Sequence, residues 1–241
     1  MELKICHLYP DVMNLSGDRG NVICMEKRLA WRGIDVVTTG ITIGENLQAS
    51  DFDLFFLGNG QPFEQALLLQ DLAGEKAAQL KSAAADGLPI LAICGGYQLL
   101  GNSYETADGT ILDGAGVLDV QTKCVGKRLV GDYAFTCEEL GETIVGFENH
   151  AGKTWLGSAV KPFGAAVPGH GNNGEDGTEG ARYNNVFASY AHGCLLPKNP
   201  KLCDHILKIA LERKYGSAEL APLDDTLELT AHAYVETKLE K

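Results

Sequence analysis

Pro89-Ile90-Leu91-Ala92-Ile93-Cys94-Gly95-Gly96-Tyr97-Gln98-Leu99-Leu100-Gly101 decides the fold. An apolar run stops at a cysteine, two glycines follow, and Tyr-Gln-Leu-Leu opens in a helical pattern. A buried strand, a tight turn and a helix facing the turn make a nucleophile elbow. The geometry is best known for serine in Gly-x-Ser-x-Gly, and its steric demand is the same for cysteine. Gly95 and Gly96 allow backbone or substrate to approach the turn closely. A helix N-terminus there favours a thiolate at Cys94. The competing reading is a small cysteine packed in a core.

Outward from this turn, the first half alternates two periodicities. Leu3–Tyr9, Ile34–Thr39 and Leu54–Leu57 read as strands. Asp18–Trp31 reads as a helix with Val22, Met25, Leu29 and Ala30 on its inner face, ended by Gly33. Phe63–Ala85 reads as helix interrupted near Gly74. Such alternation predicts parallel strands with crossovers, an α/β fold. Ligands in these sheets bind beyond the carboxyl ends of the strands, where both Cys94 and Gly58-Asn59-Gly60 fall. Val117–Val120, Leu129–Phe135 and Thr143–Phe147 are short β-like runs that predict an antiparallel section at the sheet edge. Gly169–Gly180 is polar, without an apolar anchor, and reads as a mobile surface loop. Val186–Ser189 runs as a strand toward His192-Gly193. Pro200–Tyr215 reads as an amphipathic helix with Leu202, Ile206, Ile209 and Ala210 inward, and Leu227–Leu239 as a last helix.

The 241 residues are 45% hydrophobic, enough to bury a full core, and no linker or repeat interrupts them, so residues 1–241 are expected to form one domain. A formal charge of −12 argues against nucleic-acid binding. No apolar run approaches membrane-spanning length and the N-terminus lacks a signal-peptide pattern. The seven cysteines are odd in number and contain no Cys-x-x-Cys, which points to thiols in a reducing cytoplasm and to no metal site.

A cysteine nucleophile needs a proton acceptor, and histidine suits it. Of six histidines, His192 follows a strand and precedes glycine, on the same rim as Cys94. It is the first candidate base, and His150 is the second. Cys–His chemistry at an acyl carbon develops an oxyanion, for which backbone N–H groups of Gly95 and Gly60 are the candidate donors.

The elbow, Gly58-Asn59-Gly60 and Ala191-His192-Gly193 resemble class I glutamine amidotransferases. Cys94–Gln98 and Gly146-Phe147-Glu148-Asn149-His150-Ala151-Gly152 resemble their cobyric acid synthase-like branch. Leu8–Asn21, with Ser16-Gly17-Asp18-Arg19-Gly20-Asn21, resembles the glutaminase subunits of lipid II isoglutaminyl synthases. The resemblance implies a three-layer, flavodoxin-like sheet, with Cys94 as nucleophile, His192 as base and L-glutamine as substrate. Many relatives carry an acid in His-x-Glu. Here that position is Cys194, so a Cys–His dyad is expected. The resemblance further implies that Arg128 holds the glutamine α-carboxylate and that Gln98 helps bind substrate.

The sequence contains no Gly-x-x-x-x-Gly-Lys-Ser/Thr loop, so it is not itself a P-loop ATP-dependent ligase. The resemblance implies no cofactor in this chain, with ATP and Mg²⁺ on a Mur-ligase-like partner. That heterodimer would amidate lipid II for peptidoglycan synthesis, in the cytoplasm at the inner face of the membrane. The alternatives are a glutaminase for cobyrinate amidation, an intracellular cysteine hydrolase on the same scaffold, and a non-catalytic subunit with a buried Cys94.

Overall fold

The computed structural model describes residues 1–60 and 62–239, without the side chains of 62–66. In chain order the elements are β1 (Glu2–Leu8), α1 (Arg19–Ala30), β2 (Asp35–Ile41), β3 (Leu54–Leu57), α2 (Pro62–Leu72), α3 (Glu75–Ala85), β4 (Ile90–Ile93) and α4 (Gly95–Leu99). There follow β5 (Ser103–Glu105), β6 (Ile111–Asp113), β7 (Val120–Cys137), β8 (Glu142–Leu156), β9 (Gly164–Ala166), β10 (Thr178–Glu179), β11 (Ala181–Tyr183) and β12 (Val186–Ser189). The chain closes with α5 (Leu195–Lys198), α6 (Pro200–Tyr215) and α7 (Thr226–Leu239).

The first sheet runs β11-β12-β4-β3-β1-β2. All neighbours pair in parallel except β11, which is antiparallel to β12. Its parallel part, β2-β1-β3-β4-β12, has the flavodoxin-like order. Every residue of β3, β4 and β12 is buried, as the uninterrupted apolar runs require of central strands covered on both faces. The loops after β1, β3, β4 and β12 therefore converge at the carboxyl edge of one sheet.

The antiparallel section is larger than the sequence suggests. It is part of a second sheet, β10-β9-β7-β5-β6 with β8 on β7, rather than a fringe on the first, and that sheet is mixed: β5 pairs in parallel with β7 and the other pairs are antiparallel. β7 and β8 form a long hairpin whose register shifts between Cys124 and Leu129, where Val125–Arg128 face only Ala151. Gly126, Lys127 and Arg128 lie in this bulge. A single bridge between Phe147 and His192 joins the hairpin to the first sheet.

Three details correct the reading. In α1, Ala30 faces solvent and Arg28 is buried instead. The Arg28 guanidinium reaches Asp204 at 2.6 Å and Asp225 at 2.5 Å, so charge pairing overrides the apolar pattern. Breaking such a pair costs about 3–5 kcal/mol, so Arg28 fastens α6 and the approach to α7. In α6, Leu207 is fully buried where Ile209 is half-buried. Gly169–Gly180 is not a free loop: Asn172 and Asn173 are wholly buried. The Asn172 side chain donates to the Gly180 carbonyl and accepts from the Tyr97 hydroxyl, and Asn173 donates to the Thr154 carbonyl. Polar bonds supply the anchor that apolar residues do not.

Candidate active site

Cys94 has φ 47° and ψ −97°, a strained backbone for a non-glycine residue, and is 5% exposed. Its N–H donates to the Ser189 carbonyl at 2.8 Å, fixing the elbow to β12. A Cβ on Gly96 would stand 2.7 Å from the Leu57 carbonyl oxygen, so the second glycine lets the turn press against the end of β3. α4 is only five residues long, so its dipole is weaker than that of a long helix.

His192 is brought to Cys94 from the next strand. It is 1% exposed, and its N–H and carbonyl pair with Phe147. Burial opposes its positive charge, but the charge that Cys94 carries when ionised and contacts with Asp18 outweigh that, raising its pKa to about 10. Neither ring nitrogen has a hydrogen-bond partner of normal geometry. Asp18 Oδ1 lies 3.9 Å from His192 Nδ1. Asp18 is fully buried.

Asp18 escaped the sequence reading. A polar residue before a helix reads as an N-cap, but Asp18 does not cap α1; Asn14 Oδ1 takes the Arg19 N–H instead. The Asp18 carboxylate points the other way and accepts the Asn59 N–H at 2.7 Å. Cys194, two residues beyond His192, donates its thiol to the Gly17 carbonyl at 3.0 Å. Its sulfur would stand 2.3 Å from a Cβ on Gly20, so it braces the loop that carries Asp18.

Glu179 is a second group with no sequence signal. Wholly buried, its Oε1 accepts from Ser189 Oγ and from the Tyr190 N–H, and Ser189 Oγ accepts the Ala191 N–H. These bonds hold the backbone immediately before His192. Burial raises the Glu179 carboxyl to about 7, against the bonds from Ser189 and Tyr190.

The remaining candidates divide. Gly95 lies beside Cys94 and its N–H donates to Asn59 Oδ1 at 3.0 Å. Gly60 is buried at the end of the β3 loop. The Arg128 guanidinium is exposed and oriented by Asn149, with Nε donating to the side-chain oxygen and Nη2 to the carbonyl, both at 2.8 Å. Burial and Cys124 push the Tyr104 phenol up to about 12, with the charge of Cys94 adding to this and that of Arg128 opposing it. Gln98 is buried, and its amide donates to the Tyr190 hydroxyl at 3.1 Å, in a chain that continues to Thr154 and Thr122. His150 stacks on Tyr190 at 3.6 Å and bonds the Gly152 carbonyl through Nδ1. Glu148 beside it accepts from His170 and the Gly171 N–H. His150 thus belongs to the packing under the site, whereas His192 faces the nucleophile.

A cavity of about 840 Å³ lined by Glu139, Lys161, Phe163 and Arg182 includes neither Cys94 nor His192. Chemistry rather than volume selects the elbow. No group of three or more potential metal ligands occurs among the described residues.

Residues 4–200 match the model of the CobB/CobQ-like glutamine amidotransferase domain. The chain belongs to that family. It is 42% identical, over 95% of its length and 93% of the relative's, to a Staphylococcus aureus (strain N315) protein named lipid II isoglutaminyl synthase (glutamine-hydrolyzing) subunit GatD. The protein of that name from Streptococcus pneumoniae (strain ATCC BAA-255 / R6) is 38% identical over 94% of this chain and 87% of its own. A probable cobyric acid synthase from Methanothermobacter thermautotrophicus is 35% identical, but over 57% of this chain and 29% of its own. Among solved structures, PurLQS from Thermotoga maritima superposes with a TM-score of 0.56 at 17% identity, covering 88% of this chain and 99% of that one. A crystal structure of a glutamine amidotransferase gives 0.57 at 16% identity, covering 85% of this chain and 98% of that one. These likenesses establish the amidotransferase fold, and the family makes this chain a glutamine amidotransferase. No helix among the described residues is long and apolar enough to cross a membrane.

Proposed function

We propose that this chain hydrolyses L-glutamine to glutamate and ammonia and passes the ammonia to a Mur-ligase-like synthase subunit. The Cys94 sulfur attacks the carboxamide carbon, and the carbonyl π pair moves onto oxygen. The Gly95 N–H receives that oxyanion, with Gly60 as the second donor. The imidazolium of His192 protonates the departing nitrogen, the C–N bond breaks, and ammonia leaves a thioester on Cys94. His192 then takes a proton from water, which attacks the thioester and releases glutamate. Asp18 supports the imidazolium, and Arg128 holds the α-carboxylate. The observation that carries this reading is His192 lying between the charges of Cys94 and Asp18.

Ammonia is mostly ammonium at neutral pH, which is not a nucleophile, so the product must pass shielded to a second site. The two full-length relatives named as subunits of lipid II isoglutaminyl synthase support lipid II as the destination. In this reading the partner supplies ATP and Mg²⁺ and amidates the D-glutamate of lipid II to D-isoglutamine, at the cytoplasmic face of the membrane. The cobyric acid synthases match a shorter part of this chain, which favours the cell-wall role over cobyrinate amidation. The test is Cys94→Ser together with an electrophilic glutamine analogue. Ammonia release should vanish while the fold persists, and mass spectrometry should find the analogue on Cys94 alone. Glutamine hydrolysis at the wild-type rate by the serine variant would end the mechanism.

A further inference from the structure

The Gly95 N–H, the donor that an oxyanion on Cys94 would need, is already bonded within the chain. Its acceptor is Asn59 Oδ1, a side-chain carboxamide oxygen, the same chemical group as the glutamine carboxamide that Cys94 attacks. The Asn59 backbone is clamped on both sides: its N–H goes to Asp18 Oδ2 at 2.7 Å and its carbonyl accepts the Leu15 N–H at 2.9 Å. Gly58, before it, is held against Met13, whose carbonyl oxygen would stand 2.3 Å from a Cβ there. The side chain can therefore release Gly95 by turning about its own torsions, with the loop still in place.

We propose that Asn59 is a positioning residue: it occupies the oxyanion donor of Gly95 in the resting enzyme and yields it to the carboxamide of glutamine. The proposal rests on the glutaminase reading above. A backbone N–H left buried and unpaired is costly, and a neutral carboxamide satisfies it. The carboxamide oxygen of glutamine takes the N–H from Asn59 on binding, and the oxyanion that forms from it holds the bond roughly twice as strongly as a neutral oxygen. The placeholder competes equally with bound glutamine and with the transition state, relative to the free enzyme. It therefore raises KM and leaves kcat alone. A second consequence is protection, because the donor beside the thiol is engaged until a carboxamide arrives.

Two substitutions at Asn59 test this on the full chain, with opposite signs expected. Asn59→Ala removes the competitor and should lower KM for glutamine about three- to tenfold, the worth of one net hydrogen bond, with kcat unchanged. Asn59→Asp places a carboxylate on Gly95, holding the N–H more tightly and repelling an oxyanion. The second probe is the aldehyde analogue of glutamine, glutamate γ-semialdehyde. The Cys94 sulfur adds to its carbonyl carbon, the π pair becomes an alkoxide on oxygen, and the thiol proton goes to His192. Its affinity should rise in the alanine variant and fall in the aspartate variant. An alanine variant that binds the aldehyde no better, or that loses kcat, overturns the proposal, since Asn59 would then be supporting the loop or the reaction. If one variant fails to fold, the sign in the other still decides. A wild type that neither hydrolyses glutamine nor captures the aldehyde overturns the glutaminase reading and this proposal with it. A wild type that does both, with Asn59→Ala unchanged, overturns this proposal alone.

Discussion

Asp18 Oδ1 and His192 Nδ1 face each other across 3.9 Å in a buried space, and neither has a hydrogen-bond partner. The separation is an ion-pair distance rather than a hydrogen bond, and catalytic contacts of this kind often tighten only with substrate bound. In the proposed mechanism the acid beside the dyad would therefore come from the loop after β1 instead of from the histidine's own strand.

Asp18→Asn should lower kcat for glutamine hydrolysis by about 10²-fold, at the lower end of acid–base effects. The amide retains an oxygen for the Asn59 N–H while losing the charge that favours the imidazolium. The His192 pKa should fall, so the alkaline limb of the rate profile should move to lower pH. A variant with the wild-type kcat and an unmoved profile would remove Asp18 from the mechanism.

The two histidines should separate. His192→Ala should cost about 10²–10⁴-fold in kcat or more, since the proton carrier and the activator of Cys94 are lost together. His150→Ala should cost less in turnover and more in stability, about 1–3 kcal/mol, because its ring is stacked on Tyr190 and bonded to Gly152. Urea titration and steady-state rates on both variants check this. A larger kcat loss at His150 would exchange their roles.

What could be read in advance follows from where each signal lives. The elbow and the parallel order were legible because central strands are apolar on both faces and end at glycine turns, as at Leu54–Gly58 and Ile90–Gly95. The position of His192 at the sheet edge that carries Cys94 was legible because strand-end residues share one rim. Asp18 was not, since the same residue type at the same position signals a helix cap, and only the Asn14 bond to Arg19 shows that the cap is filled elsewhere. Glu179 was hidden in a polar loop, and no apolar periodicity marks a carboxylate that is buried to hold backbone. The size of the second sheet was missed because the bulge at Val125–Arg128 breaks the alternation along β7.

Glu179 gives a pH signature. Its carboxyl titrates near 4.5 when unfolded and at about 7 in the fold, mainly through burial. The folded state therefore binds this proton more tightly. The stabilisation is full below pH 4.5 and is lost as pH rises through about 7, a change on the order of 3 kcal/mol. Glu179→Gln keeps an oxygen for Ser189 and Tyr190 but cannot ionise. The difference in unfolding free energy between wild type and variant should shift in the variant's favour between pH 5 and 8. A difference that stays constant across that window would show that Glu179 does not titrate there.

Arg128 tests how the substrate is held. Its guanidinium is aimed by two bonds to Asn149. A bidentate grip on the α-carboxylate should prefer free glutamine to a glutamine residue inside a peptide. Arg128→Ala should raise KM for glutamine about 10- to 100-fold, the range for a charged hydrogen bond of about 1.5–3 kcal/mol. Arg128→Lys should recover only part of this, because the planar fork is lost. Asn149→Ala should give a smaller rise, since the fork remains but is no longer aimed. Alkylation of Cys94 by a small neutral reagent should proceed at the wild-type rate in all three, because the elbow is untouched. With the synthase partner present, ammonium salts should restore amidation by the Arg128→Ala complex, since the partner needs only ammonia. Unchanged glutamine kinetics in Arg128→Ala would move the carboxylate contact to another residue. A complex that ammonium cannot rescue would place Arg128 at the subunit interface instead of at the substrate.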